Sequence, residues 1–388
     1  MSLEKSQNSL LRFIRDTDKV TLIAALFASA YGLLLVYSAT FRLLKDGARI
    51  SADVRSMLIS IALGVVFAII VSNIDYEIIS KLWPIIAGGC VGLMIITYFF
   101  GVAPPSRPDA KSWLDLGFFQ FQTSEILKVG FIISFSYHLD MVKSKINDFK
   151  TILGLCLHGL IPVMLVIMTG DAGSALIFLL MFVGMLFMAR VSILYFISGV
   201  SLVACALPIA WKLNLISGIQ RQRILALIYP ESYPKVIYQQ ENAKIAMGTG
   251  GMFGKGFLQG DYTQGGLVPE NQNDMILSVA GEEFGFVGAI MVIGVLMIII
   301  LRVFFNGFKA RDNVGFMMCS GVAIMLFSQM CVNVGMELTM LPCIGITLPF
   351  FSAGGSSSLS VYVALGLVLS IYRFSRTPDD MMFYSRKI

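Results

Sequence analysis

Ten apolar runs, each about as long as a bilayer-spanning helix, constrain this chain more than any other feature. They fall at about 20–41, 56–74, 82–101, 123–142, 151–169, 172–189, 192–211, 280–304, 313–335 and 355–373. A helix needs about 20 mainly apolar residues to cross the hydrocarbon, where every backbone polar group must be paired internally. The pattern therefore predicts an all-α, polytopic integral membrane protein with about ten transmembrane helices. Composition agrees: charged residues are only 14% of the 388, against about 25% in soluble domains. A soluble enzyme, a disordered chain and a disulfide scaffold are excluded. The net charge of +5 is a topology signal in such a chain, and no nucleic-acid partner is expected.

Lys5, Arg12, Arg15 and Lys19 precede the first run, and Ala28-Ser29-Ala30 imitates a signal-peptidase site. Apolar sequence continues through Leu33–Val36, so an uncleaved first helix is expected. The Lys and Arg of the tails and short loops place both termini in the cytoplasm. Arg42, Lys45, Arg49 and Arg55 in the first outer loop run against this locally. A single membrane domain is expected over 1–388. Its one long extracytoplasmic loop spans about 212–275, between the seventh and eighth spans. Connections of that length are usually functional.

Cys90, Cys156, Cys205, Cys319, Cys331 and Cys343 form no C-x-x-C pair and read as core residues. His138 and His158, the only histidines, have no ligand partner at helical spacing, so neither a zinc site nor a histidine triad is expected. Charges at membrane depth are costly and mark function. Glu125 and Lys128, three apart at the start of the fourth span, share a helix face; they either serve a site or fix helix packing. Asp171 precedes the sixth span, where capping is the simpler role. Glu282 and Glu283 open the eighth, where carboxylates suit the helix dipole.

In the long loop, Arg221, Arg223 and Lys235 stand among Ile224, Leu225, Leu227 and Ile228. That pattern suits an interfacial segment that grips phosphate groups, or simple snorkelling. Gly248–Gly256 is not a P-loop, because Walker spacing would put its first glycine at Thr249 and its hydroxyl at Gly256. It reads as flexible backbone or close approach to a ligand. Glu270 and Asp274 are two loop acids four apart. An acid beside the apolar start of a span can serve as a base. The last outer connection, from Asn333 through Pro342, Pro349 and Ser352 to Gly354-Gly355, is irregular backbone. Such backbone is tolerated at depth only where protein buries it or it lines a wet cavity, so an outward-facing cavity is expected.

Taken in order, these motifs resemble the SEDS family, the RodA/FtsW/SpoVE group of cell-wall polymerases. Lys111-Ser-Trp113-Leu-Asp-Leu-Gly117 with Gln122-Thr-Ser124-Glu125-x-x-Lys128 is similar to R-x-W-[IL]-x-[IL]-G…Q-P-S-E-x-x-K. Asp171-Ala-Gly173-Ser resembles D-L-G-T. Arg221-Gln222-Arg223-Ile-Leu-Ala resembles the Q-R-I-x-A-F stretch, and Gly250-Gly251-x-x-Gly254-x-Gly256 resembles G-G-L-x-G-x-G. Asn333-x-Gly335 and Leu348-Pro349-x-x-Ser352-x-Gly354-Gly355-Ser356 match N-I-G and L-P-x-[IM]-S-Y-G-G-S. The family's L-P-E-x-H-T-D-F appears as Val268-Pro269-Glu270-Asn271-Gln272-Asn273-Asp274-Met275. The acid is kept, while His-Thr has become Gln272-Asn273. Lys111, Thr123 and Ala353 replace the family's Arg, Pro and Tyr.

The resemblance implies a peptidoglycan glycosyltransferase that polymerises lipid II at the outer face of the cytoplasmic membrane. Asp274 would be the catalytic base. Lys111, Lys128, Arg221 and Arg223 would face the diphosphate or hold the loop, Glu125 would orient Lys128, and Glu270 would contact substrate. Asp171, Glu282, Glu283, Asn333, Ser352, Gly354 and Gly355 would shape the cavity. The resemblance leaves open a divalent cation, Mg or Mn, on the diphosphate, and it implies a class B penicillin-binding protein as partner. Gly260-Asp-Tyr-Thr-Gln264 resembles the elongation branch. The competing readings are a flippase of lipid-linked precursors and a weakly active regulatory or scaffold member.

Overall fold

The structure, a computed structural model, describes residues 17–44, 49–103, 110–115, 117, 120–214 and 216–375. Lys5, Arg12, Arg15, Lys45 and Leu116 lie outside the described residues, as does the tail beyond Ser375. The described elements are α1 (Lys19–Thr40), α2 (Ala52–Ser72), α3 (Tyr76–Lys81), α4 (Trp83–Phe100), β1 (Trp113–Asp115), β2 (Gln120–Gln122), α5 (Thr123–Met141), α6 (Phe149–Met168), α7 (Ala172–Met188), α8 (Ile193–Lys212), α9 (Gly218–Ile228), α10 (Pro234–Thr249), α11 (Asp261–Gly265), α12 (Ile276–Phe308), α13 (Asn313–Glu337) and α14 (Gly355–Phe374).

Ten of these helices coincide with the ten apolar runs. Eight are long and apolar enough to cross a membrane by length and composition. Of the other two, α7 has 17 residues, and α5 carries Glu125, Lys128 and Asp140. The fold is all-α and polytopic, apart from the small antiparallel hairpin that pairs Trp113 with Gln122 and Asp115 with Gln120. The helices begin where local chemistry dictates. Ser51 accepts from Val54 N and Asp312 from Gly315 N, each satisfying an orphan amide of a first turn.

The core sits between α13 and α14, most of whose residues are buried. Helix α8 has no fully buried residue and touches the bundle mainly through Tyr195 and Phe196 near its start. Close approach of α14 to α2 depends on small residues, as is usual in membrane bundles. A Cβ at Gly366 would meet the Ala68 Cα at 2.7 Å.

Helix α12 is broken at Gly285, whose φ of 70° and ψ of −164° suit glycine alone. The break frees backbone groups, and the Gly250–Gly256 segment takes them up. Phe286 N donates to Gly251 O at 2.9 Å, Lys255 N to Glu282 O at 3.0 Å and Gly256 N to Glu283 O at 3.0 Å. A Cβ at Gly250 would overlap the Gly281 carbonyl, and one at Gly254 the Glu283 carbonyl. The glycines thus permit close approach to a helix backbone, which is neither the flexible backbone nor the ligand contact expected from the sequence.

The long connection is also more ordered than a polar loop. Half of it is helical, as α9, α10 and α11. Glu282 fastens it to the bundle, accepting from Tyr262 N, Thr263 N and Thr263 Oγ1 at 2.8 Å each and from Lys255 Nζ at 3.1 Å. Glu283 accepts from Ser38 Oγ at 2.6 Å and Gln264 Nε2 at 3.1 Å.

Candidate active site

The segment Val268–Met275 is held at both ends by apolar contacts. Val268 and Met275 are buried and cluster with Ala243 and Ala246 of α10. Between these two plugs the chain turns tightly, with Asn271 buried and Glu270, Gln272, Asn273 and Asp274 half-buried. Asn273 N and Asp274 N both donate to Glu270 O, at 3.0 and 3.1 Å, and Glu270 takes a φ of 53°. That left-handed conformation is unusual for a residue with a Cβ, and such strain gathers at functional sites.

Other elements grip the turn by its backbone. Gln239 Nε2 donates to Pro269 O at 2.9 Å. Ala353 N donates to Gln272 O at 2.9 Å. Asn333 Nδ2 donates to Asp274 O and to Ile346 O, both at 2.8 Å. The segment is therefore fixed to α10, to α13 and to the irregular backbone before α14.

The turn forms one wall of a cavity of about 400 Å³. Glu270, Asn273 and Asp274 line it. The opposite walls come from Trp113, Gln120 and Gln122 of the hairpin and from Gly354, Gly355, Ser356 and Ser357 at the start of α14. These walls are tied together: Gln122 N donates to Ser356 Oγ at 2.9 Å, and Thr347 Oγ1 to Ser357 Oγ at 3.1 Å. Ser352 is buried behind them and accepts from Leu348 N at 2.8 Å. Among the described residues that line the cavity, Arg223 of α9 is the one cation. Two carboxylates, one guanidinium and a set of amides and hydroxyls suit a polar, polyhydroxylated substrate that carries negative charge.

Several residues singled out in the sequence lie elsewhere. Lys128 and Glu125 form a buried pair at 2.7 Å, and Glu125 Oε2 accepts from Ser360 Oγ at 2.9 Å. That arrangement locks α5 to α14, and neither residue lines the cavity. Arg221 sits over the Trp211 ring at 4.5 Å and donates to Asn214 Oδ1 at 2.8 Å, away from the lining. Lys111 is exposed, on the far side of Trp113 in sequence from the hairpin turn. Asp171 caps α7 through Ser174 N at 3.1 Å, as capping chemistry suggested, and also accepts from Gln122 Nε2 at 2.8 Å. It so braces a lining residue from behind. Glu282 and Glu283 anchor the long connection as described above. Burial pulls the Lys255 amine down, but its hydrogen bonds to Asp261 and Glu282 leave it above its ordinary value.

His138 and His158 do meet in space, Nδ1 to Nδ1 at 3.0 Å, across α5 and α6. Among the described residues, no three His, Cys, Asp or Glu are grouped to hold a metal ion.

The profile of a family described as "Cell cycle protein", FtsW/RodA/SpoVE, matches residues 18–377. The chain belongs to that family. Escherichia coli (strain K12) MrdB, named a peptidoglycan glycosyltransferase, is 32% identical over 342 residues, covering 87% of this chain and 90% of its own. A protein from Trichlorobacter lovleyi named probable peptidoglycan glycosyltransferase FtsW is 31% identical over 373 residues, covering 92% and 93%. Among solved structures, a chain from work described as "Structural coordination of polymerization and crosslinking by a peptidoglycan synthase complex" superposes with a TM-score of 0.78. It covers 93% of this chain and 99% of that one at 24% identity. Thermus thermophilus RodA gives 0.68 over 93% and 98%, at 22% identity. These likenesses establish a FtsW/RodA/SpoVE fold and a multi-pass membrane protein.

Proposed function

We propose that this FtsW/RodA/SpoVE member is a peptidoglycan glycosyltransferase that polymerises lipid II at the outer face of the cytoplasmic membrane. One observation carries the reading: Asp274 lines a polar cavity together with Arg223. It does so in a chain aligned over most of its length with relatives named for that activity.

The residues lining the cavity support this chemistry. The Asp274 carboxylate takes the proton of the acceptor's GlcNAc 4-hydroxyl, and that oxygen bonds to C1 of MurNAc on the growing chain. The bond from C1 to the diphosphate breaks, undecaprenyl diphosphate leaves, and C1 inverts. General-base help of this kind is worth about 10²–10⁴-fold. Negative charge grows on the leaving diphosphate, and a cation placed in a site of low dielectric stabilises it strongly. Among the described lining residues, Arg223 is the one able to do so. Gln120, Gln122, Ser356 and Ser357 supply donors and acceptors for the sugar hydroxyls and acetamido groups. Lys128, committed to Glu125, is not needed for charge.

One solved structure with this fold belongs to a complex that couples polymerization to crosslinking. A class B penicillin-binding protein is the partner we propose here. The Lys and Arg distribution supports cytoplasmic termini, and the likeness of Gly260–Gln264 to the elongation branch supports a role in elongation.

Purified protein, alone and with its cognate penicillin-binding protein, is supplied with labelled lipid II. Glycan ladders on a gel are expected. Lipid movement across vesicles with no glycan formed would contradict this reading and favour a flippase.

A further inference from the structure

We infer that Glu337 is a positioning residue for Asp274, an inference that rests on the polymerase reading above. Glu337 ends α13 and has no exposed surface. The position is an expensive one for a carboxylate. The C-terminal end of a helix carries partial negative charge, and a buried ion loses its hydration.

What offsets the cost is the start of α12. Glu337 Oε1 accepts from Leu277 N at 3.0 Å, and Oε2 from Ser278 N at 2.6 Å. Those amides belong to the first turn of α12, where donors have no i−4 partner within the helix; Ser278 N also reaches the Met275 carbonyl, at 3.2 Å. A Ser, Thr, Asp or Asn at the N-cap usually serves them. The N-cap here is Met275, which makes no side-chain cap. It is buried with Val268, Ala243 and Ala246, so its side chain plugs the turn. The capping work passes to an acid about sixty residues along the chain.

One helical turn before Glu337 on the same helix, Asn333 bridges the main-chain oxygens of Asp274 and Ile346. Residues four apart share a face. One face of α13 thus fixes the backbone at Asp274, Leu277 and Ser278, on the two sides of Met275. Asn333 sets where the Asp274 peptide lies, and Glu337 sets the direction of the helix that leaves it. A helix start that needed only stability would be capped locally and more cheaply. Placing a buried acid at this helix end secures the aim of the Asp274 carboxyl.

The test compares Glu337→Gln and Glu337→Val with wild type in lipid II polymerisation, with kcat expressed per folded molecule and KM determined separately. Gln keeps the size but accepts one amide and turns an N–H toward the other. A displacement of about 1 Å at a reacting group can cost about a hundredfold. A fall in kcat of about ten- to a hundredfold is expected for Glu337→Gln, with KM within about twofold of wild type and folded yield retained. A kcat per folded molecule equal to wild type in either variant overturns the inference. So does failure of both variants to fold, which would make Glu337 a folding residue. Asp274→Asn is run alongside. If wild type makes no glycan, or Asp274→Asn matches it, the polymerase reading itself has failed, whatever the Glu337 variants do.

Discussion

Asn273 Nδ2 donates to Glu270 Oε2 at 2.7 Å across the turn that carries Asp274. The acceptor is a carboxylate held at a positive φ, so this bond helps fix a strained residue in the cavity wall. A hydrogen bond to a charged group contributes about 1.5–3 kcal/mol. Asn273→Ala is expected to lower kcat by about tenfold or more. Gln272 holds the turn through its main-chain oxygen, so Gln272→Ala is expected to stay within about twofold of wild type. Steady-state lipid II polymerisation with both variants checks the contrast.

The buried Glu125–Lys128 pair with Ser360 sits outside the cavity. Removing one partner leaves an uncompensated charge, which typically costs about 3–5 kcal/mol. Lys128→Met is expected to lower the detergent unfolding temperature sharply. The double variant Glu125→Gln/Lys128→Met should recover most of the loss, because no buried charge remains. Activity per folded molecule should stay near wild type in both variants. A double variant that is stable yet inactive would place the pair in the chemistry after all.

Gly254 has a φ of 82°, and a side chain there would strike the Glu283 carbonyl at the break in α12. A left-handed residue with a Cβ costs about 1–2 kcal/mol before the clash is counted. Gly254→Ala is expected to loosen the 250–265 segment. Faster amide exchange at Lys255 and Gly256, whose N–H groups bond to the broken helix, is the readout.

Asp18 accepts from Arg302 Nη2 and Thr21 Oγ1 at 2.6 Å each and from Asn306 Nδ2 at 2.8 Å. Burial alone would raise its carboxyl, and these bonds outweigh it, leaving the pKa below the ordinary 3.8. A carboxyl lowered on folding stabilises the folded state above its unfolded pKa, and the gain is lost as pH falls toward the folded value. Stability should therefore drop below about pH 4. Asp18→Asn should be less stable at neutral pH and lose less on acidification, as read from unfolding temperatures across pH.

The ten spans were legible because helix period and bilayer thickness both leave marks in sequence, and the ends agree to within a few residues. The Glu125–Lys128 pair and the Asp171 cap were legible as local spacings. Contacts between distant segments were not. Nothing near His138 announces His158, because they lie on separate helices. Ser360 is one of several serines in its helix, and only packing selects it. Arg221 and Arg223 are two apart and look equivalent, yet a helix turns them to different sides, one onto Trp211 and the other into the cavity. Glu337 escaped notice because it follows an apolar run, where an acid resembles the start of a polar loop. For the glycine-rich segment the sequence leaves flexible backbone and close approach to a ligand both open, because it does not reveal that α12 breaks opposite it.

The most direct test replaces the carboxylate that takes the proton. Asp274→Asn keeps the size and shape of the side chain but removes its basicity, and its backbone bond from Asn333 is unaffected. In lipid II polymerisation with the cognate penicillin-binding protein present, glycan formation is expected to fall by about 10²–10⁴-fold, with the protein still folded and still binding lipid II. Glycan made by Asp274→Asn at the wild-type rate would contradict Asp274 as the base.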